Sequence, residues 1–503
     1  MAVLNVVILG VGASLLWGIR GWRWWTEFFR LAGVAYLLGV VSLTIVLTLE
    51  IVLGIPFGPV SFLATAAASA GCGVVLGVVR GRSRPATRPL GRHLVAPSLV
   101  AAPFIVAVLL YFGALFRSTR LLPLFETDAW WLWTIRAKAL FFFGDLGGSD
   151  LVGGDESSRP SYPPGLSLLH AEAFEAMGGI DTVTLHLEHW FLAVGFVAAV
   201  VGLLMRRVRT AILLPFVLLA LVMPGFADRV NWAMGDCLLA YLASVGGLLV
   251  YLWLEDRARW RLEAATLLFG GAMLIKREGA IVVACLVAAA LVASWGKRGW
   301  AWPRLAGAAA VAVAFAAPWR ISLAATGVRD APTDGYLAFL DHADRAWPSL
   351  ELVLSTFVDP MWLGFGVLTL VAGALAFAGG STRPPVFVLT FLAASVATSA
   401  FVIWSETAFE ISKRPILNPV IRMMLVTMLV LAPLVPLLLE AAWRGGASEG
   451  ATSHVPDHRR ALAGASRSAQ RFLALRRSIS YRTIRARATR PVPRLVPPKG
   501  RCA

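Results

Sequence analysis

The fold class this sequence predicts is an all-α, polytopic transmembrane protein, and three observations carry that prediction. Of 503 residues, 58% are hydrophobic and only 15% charged, with a mean hydropathy of +0.73. That is more apolar surface than one soluble core can hide. Apolar runs approaching 20 residues recur along the chain, the length an α-helix needs to cross about 30 Å of hydrocarbon. Arginine is concentrated in the short segments between the runs, the pattern that fixes orientation in a membrane.

The runs fall near residues 3–19, 31–53, 60–79, 95–116, 182–205, 210–225, 233–254, 262–275, 280–295, 304–324, 352–378, 385–404 and 420–440, which predicts about 13 transmembrane helices. The first is followed, not preceded, by basic residues (Arg20, Arg23, Arg30), so it reads as a retained span rather than a signal peptide. Residues 262–295 are too few for two full spans and a turn, so this pair is expected to form a hairpin reaching partway across the bilayer. Its charged turn, Lys276–Arg277–Glu278, would then face a cavity, where ionisable groups are costly unless paired or functional.

With alternating spans, four basic groups share one side: Arg80, Arg82, Arg84, Arg88 and Arg92; Arg206, Arg207 and Arg209; Arg257, Arg259 and Arg261; and Lys297, Arg298 and Arg304. The positive-inside rule makes that side cytoplasmic and places the protein in the plasma (inner) membrane, with segment 117–181 on the opposite face. The chain divides into accessory N-terminal spans and a basic loop (1–93), a core (94–440) and a basic cytoplasmic tail (441–503). The tail supplies about +12 of the formal +17. Its Arg, Ser, Ala and Pro content suits a disordered segment lying on anionic lipid headgroups or docking a partner, and argues against nucleic acid as the partner. Cys72, Cys237, Cys285 and Cys502 are dispersed, with neither a disulfide framework nor zinc-ligand spacing. His186 and His189 lack a third ligand nearby and read as interfacial. No phosphate loop or dinucleotide fingerprint is present.

The chemistry-bearing stretch is Phe125–Leu140, FETDAWWLWTIRAKAL, followed by SYPPGLSLL from Ser161. Glu126 and Asp128 sit at the edge of an apolar run, ahead of a Trp-rich segment carrying Arg136 and Lys138. From helix physics alone, Asp128 reads either as a functional carboxylate or as a helix N-cap. Arg136 and Lys138 read either as phosphate ligands or as membrane-interface anchors. On α-helical spacing Lys138 shares a stripe with Trp131. Tyr162, before Pro163 and Pro164, marks a helix entry. Asp228, Arg229, Asn231 and Asp236 flank another short exterior turn, and Asn418 with Arg422 opens the last span.

The string DAWWLWTIRAKAL, the later Tyr-Pro pair, the Lys276-x-Glu278-Gly element and the NPVIRMM segment resemble the C-type (GT-C) membrane glycosyltransferases, over about residues 95–440. The usual middle residue of the Lys-x-Glu element in that group is Asn, whereas this chain has Arg277. The resemblance implies the GT-C superfold. It also implies inverting transfer of a monosaccharide from a polyprenyl-phosphate donor to an extracytoplasmic glycan, lipid or protein acceptor. It puts Asp128 forward as the base, with Glu126 beside it. Arg136, Lys138, Tyr162, Lys276, Arg277, Glu278 and Arg422 are the substrate-binding candidates. Phosphate is already a weak base, so one carboxylate to take the acceptor proton suffices while cations neutralise the leaving group. A divalent metal, if one is used, would fall to Glu126 and Asp128. A multi-pass transporter or flippase of lipid-linked glycans is the alternative, and a noncatalytic membrane scaffold a third reading; a transporter would place its key ionisable groups nearer the bilayer midplane.

Overall fold

The computed structural model describes residues 1–82, 101–146, 161–326, 340–405 and 419–452. The cytoplasmic-loop assignment for 83–93, the tail assignment beyond 452, Asn418 and Cys502 lie outside them. Among the described residues every regular element is helical. Nine helices are long and apolar enough to cross a membrane, or ten if the bent pair Thr210–Val222 and Pro224–Asn231 forms one span.

The helices are α1 (Ala2–Ile19), α2 (Trp25–Val52), α3 (Pro59–Val79), α4 (Ala102–Thr119), α5 (Ile135–Phe143), α6 (Gly165–Met177), α7 (His186–Leu204), α8 (Thr210–Val222) and α9 (Pro224–Asn231). They continue as α10 (Gly235–Asp256), α11 (Arg259–Ile275), α12 (Glu278–Ala293), α13 (Arg298–Thr326), α14 (Ala346–Phe357), α15 (Phe365–Ala378), α16 (Arg383–Ser405), α17 (Pro419–Leu431) and α18 (Val435–Thr452). The run at 352–378 is therefore two helices. Pro360 and the left-handed Leu363 and Gly364 break it.

At the centre stands α10, buried along its whole apolar window and packed on α11 and α17. A helix apolar on every face has no preferred side to expose, so it fills a core. By contrast α4 and α13 are mostly exposed and form the lipid-facing periphery. Inside hydrocarbon the hydrophobic effect cannot drive helix against helix, so close approach and internal hydrogen bonds do it. Gly12 and Gly39 let α1 meet α2: a Cβ on Gly12 would stand 1.6 Å from the Ala35 carbonyl oxygen. Ser244 donates to the Leu429 carbonyl at 2.8 Å, joining α10 to α17, and the Ser395 and Thr427 hydroxyls, 2.5 Å apart, join α16 to α17.

The Arg-rich turns meet at one end of the bundle, as alternation predicts. Arg80 after α3 pairs with Glu263 on α11 at 2.8 Å, and Arg207 after α7 reaches both Glu255 and Asp256 at the end of α10. Arg261 closes on Asp256 at 2.7 Å. The hairpin α11–α12 is short, 17 and 16 residues. Its turn lies at the opposite end, where the candidate site is found.

Candidate functional site

Four backbone segments converge at that end: the turn before α5, the Tyr-Pro entry to α6, the start of α10 and the α11–α12 turn, with Arg422 of α17 reaching in from the side. Gly165 permits the second contact. A Cβ there would lie 2.5 Å from the Leu274 carbonyl oxygen, so a larger residue would push the Tyr162 loop off the Lys276 turn.

The hub is Asp236, in the first turn of α10. Lys276 Nζ donates to its Oδ1 at 2.7 Å and Arg422 Nε to its Oδ2 at 3.0 Å. Arg422 then extends through Nη1 to Oδ2 of Asp128. From Lys276 the network passes to Glu278 Oε1 at 3.8 Å, and the Tyr162 hydroxyl donates to the same oxygen at 3.4 Å. The Arg277 guanidinium lies 4.7 Å over the Tyr162 ring, and Trp133 meets that ring edge-on at 5.7 Å. Lys276 and Asp236 are almost wholly buried, whereas the Asp128 side chain is 39% exposed and Arg422 23%. A buried pair of opposite charges thus underlies an accessible carboxylate and an accessible guanidinium. Matched partners are what make charges tolerable at such depth.

The helix-cap reading of Asp128 does not describe its side chain. It makes no capping hydrogen bond and its own backbone is already helical, because the Trp-rich segment Ala129–Thr134 is a π-helical turn. That turn also changes the stripe expected on α-helical spacing. With one extra residue in the turn, Lys138 stands over Trp130, its Nζ 4.8 Å from the ring, rather than over Trp131. Arg136 is buried on the inner face of α5, 5.9 Å from the Trp319 ring of α13. Glu126 is half-buried and accepts from the Thr127 backbone at 3.0 Å. Among the described residues no three His, Cys, Asp or Glu side chains are placed to share a metal ion, and Asp128 already has a guanidinium partner. This donor set does not form a metal centre.

The structure therefore brings together Asp128, Tyr162, Lys276, Arg277, Glu278 and Arg422, and sets Arg136 and Lys138 among aromatic rings. Asp236 is the functional candidate that sequence reasoning placed only in an exterior turn. Its neighbour Arg229 is buried, over the Trp232 ring at 3.9 Å. His186 and His189 are buried rather than interfacial. His189 Nε2 lies 3.1 Å from His170 Nε2 of α6, beside a core that also holds the buried Glu172 and Glu188.

No protein-family model, curated protein or solved structure matches this chain.

Proposed function

We propose that the protein is an integral membrane glycosyltransferase of the GT-C superfold, with about 13 spans. In this reading it transfers a monosaccharide from a polyprenyl phosphate to a glycan, lipid or protein acceptor outside the cytoplasm, with inversion. The observation that supports this best is an accessible carboxylate, Asp128, held by Arg422 next to a cluster of cations anchored on a buried acid. The acceptor's proton passes to the free oxygen of Asp128 as its oxygen attacks the anomeric carbon. The bond from that carbon to the phosphate oxygen breaks, and the departing phosphate takes its electron pair to the exposed cations, Arg422 and Arg277, backed by Lys276. Arg422 keeps the base fixed in place, and Tyr162 with Trp133 gives an aromatic wall for the sugar or first prenyl unit.

The test is turnover of radiolabelled polyprenyl-phosphate sugars by the purified protein. Asp128→Asn keeps size and removes the base. Transfer should fall by at least about 100-fold while the protein stays folded in the membrane. Undiminished transfer by that variant would remove Asp128 from the chemistry. Cysteine labelling in intact cells tests the orientation: position 128 should react from outside, and reaction only from the cytoplasm would defeat the scheme.

The transporter reading has one feature in its favour, the paired charges of Lys276 and Asp236 beneath the surface. It differs in outcome, because a flippase moves its lipid without consuming the phosphosugar bond.

A further inference from the structure

At the far end of α10 and α11 a groove of about 880 Å³ opens between α1, α3, α11 and α13. Counted along α10 at 1.5 Å per residue, Arg257 lies about 30 Å from Asp236, so this groove and the candidate site lie on opposite faces of the membrane. Its rim carries four arginines, Arg80, Arg257, Arg259 and Arg304, and one carboxylate, Glu263. Glu263 is engaged by Arg80 at 2.8 Å and Arg259 at 2.7 Å. The other two arginines have no acid partner among the described residues and share one indole. Arg257 lies 4.5 Å and Arg304 5.8 Å from the Trp300 ring. Below this rim the wall turns apolar, with Leu267, Val311 and Phe315, and Gly307 leaves open space beside it.

We infer that this groove binds an anionic phospholipid, its phosphate between Arg257 and Arg304 and an acyl chain along the Gly307–Phe315 face of α13. Two guanidiniums converging on one ring repel each other until an anion bridges them, and the change from cationic rim to apolar wall matches the change from headgroup to chain. The neighbouring segment of the chain cannot supply the anion, since it contributes Arg84, Arg88 and Arg92, of the same sign. The mainly exposed α13 leaves the groove open to the bilayer.

Two substitutions separate headgroup from chain without threatening the fold. Arg257 has a left-handed backbone (φ 58°), so Arg257→Gly removes the cation at a position glycine adopts freely. Gly307 has nothing within 4 Å of an added Cβ, so Gly307→Leu fills only the acyl path.

The full-length protein, purified in a neutral detergent and stripped of lipid, is titrated with phosphatidylglycerol, phosphatidylcholine or inorganic phosphate. Bound lipid is counted by native mass spectrometry, and stabilisation is followed by thermal unfolding. Phosphatidylglycerol should be retained and raise the unfolding midpoint; phosphatidylcholine should do neither. Arg257→Gly should weaken phosphatidylglycerol at least about fivefold, the worth of one headgroup-facing cation. Gly307→Leu should abolish lipid retention and leave any response to phosphate intact. Equal binding of the two lipids would overturn the assignment. So would phosphate matching phosphatidylglycerol with no effect of Gly307→Leu, which would leave a plain anion site.

Discussion

The two ends of the α10–α11 pair handle charge in opposite ways. At one end Asp236, Lys276, Arg422 and Asp128 alternate in sign, each charge hydrogen-bonded to the next. At the other, arginines outnumber the acids along the groove, and two of them face an aromatic ring with no acid partner among the described residues. The first end is complete from the chain's own residues and keeps its geometry whether or not a substrate is bound. The second leaves a charge that only an outside anion can balance. A site built to perform chemistry gains from being preorganised, whereas a site built to seat the protein among lipids can leave its counter-ion to the bilayer.

This contrast breaks most visibly through activity. If the alternating end is catalytic, Asp128→Asn should cost at least about 100-fold in transfer with little change in stability, because its side chain is partly open to solvent. The next largest effect should be on folding. Asp236→Asn leaves Lys276 and Arg422 without their shared acid, and Lys276→Met leaves Asp236 short of a partner. Each should destabilise by about 3–5 kcal/mol, read from unfolding in detergent, since an uncompensated buried charge is the costly state. The double variant Asp236→Asn with Lys276→Met should cost less than the two singles summed. Additive losses would mean that the 2.7 Å contact is incidental. At the arginine-rich end, Arg207→Gln removes solvent-accessible contacts to Glu255 and Asp256 and should change stability by no more than about 1 kcal/mol. A loss as large as that at Asp236 would show that the two ends are braced alike.

Much of this arrangement was legible in the sequence, for a physical reason. Lys276, Glu278, Arg422 and Asp128 each interrupt or border an apolar run, and a charge beside hydrocarbon needs a partner. Which partner is a tertiary fact. Asp236 looked like one more polar residue of a turn that also holds Asp228 and Arg229. Only the fold brings it to a lysine 40 residues away and an arginine 186 away. Arg136 and Lys138 followed a different course, because hydrophobic pattern does not reveal a π-helical turn and α-helical spacing then assigns the wrong neighbours. The long run at 352–378 did carry its break in Pro360 and Gly364, but hydropathy averaged over such a window hides one proline. His170 gave no signal at all, since its relation to His189 depends on how α6 packs against the helices around it.

The π-helical turn at Ala129–Thr134 makes this corner of the protein unusually sensitive to length. A turn with one residue too many is held open by its surroundings, and losing that residue offers the backbone a more regular α-helical path. Deleting Trp131 would therefore preserve helix while turning everything before it by about 100° relative to α5. Asp128 would swing off Arg422 with its chemistry intact and its address wrong, so the spacing of this segment is as much a part of the site as the carboxylate.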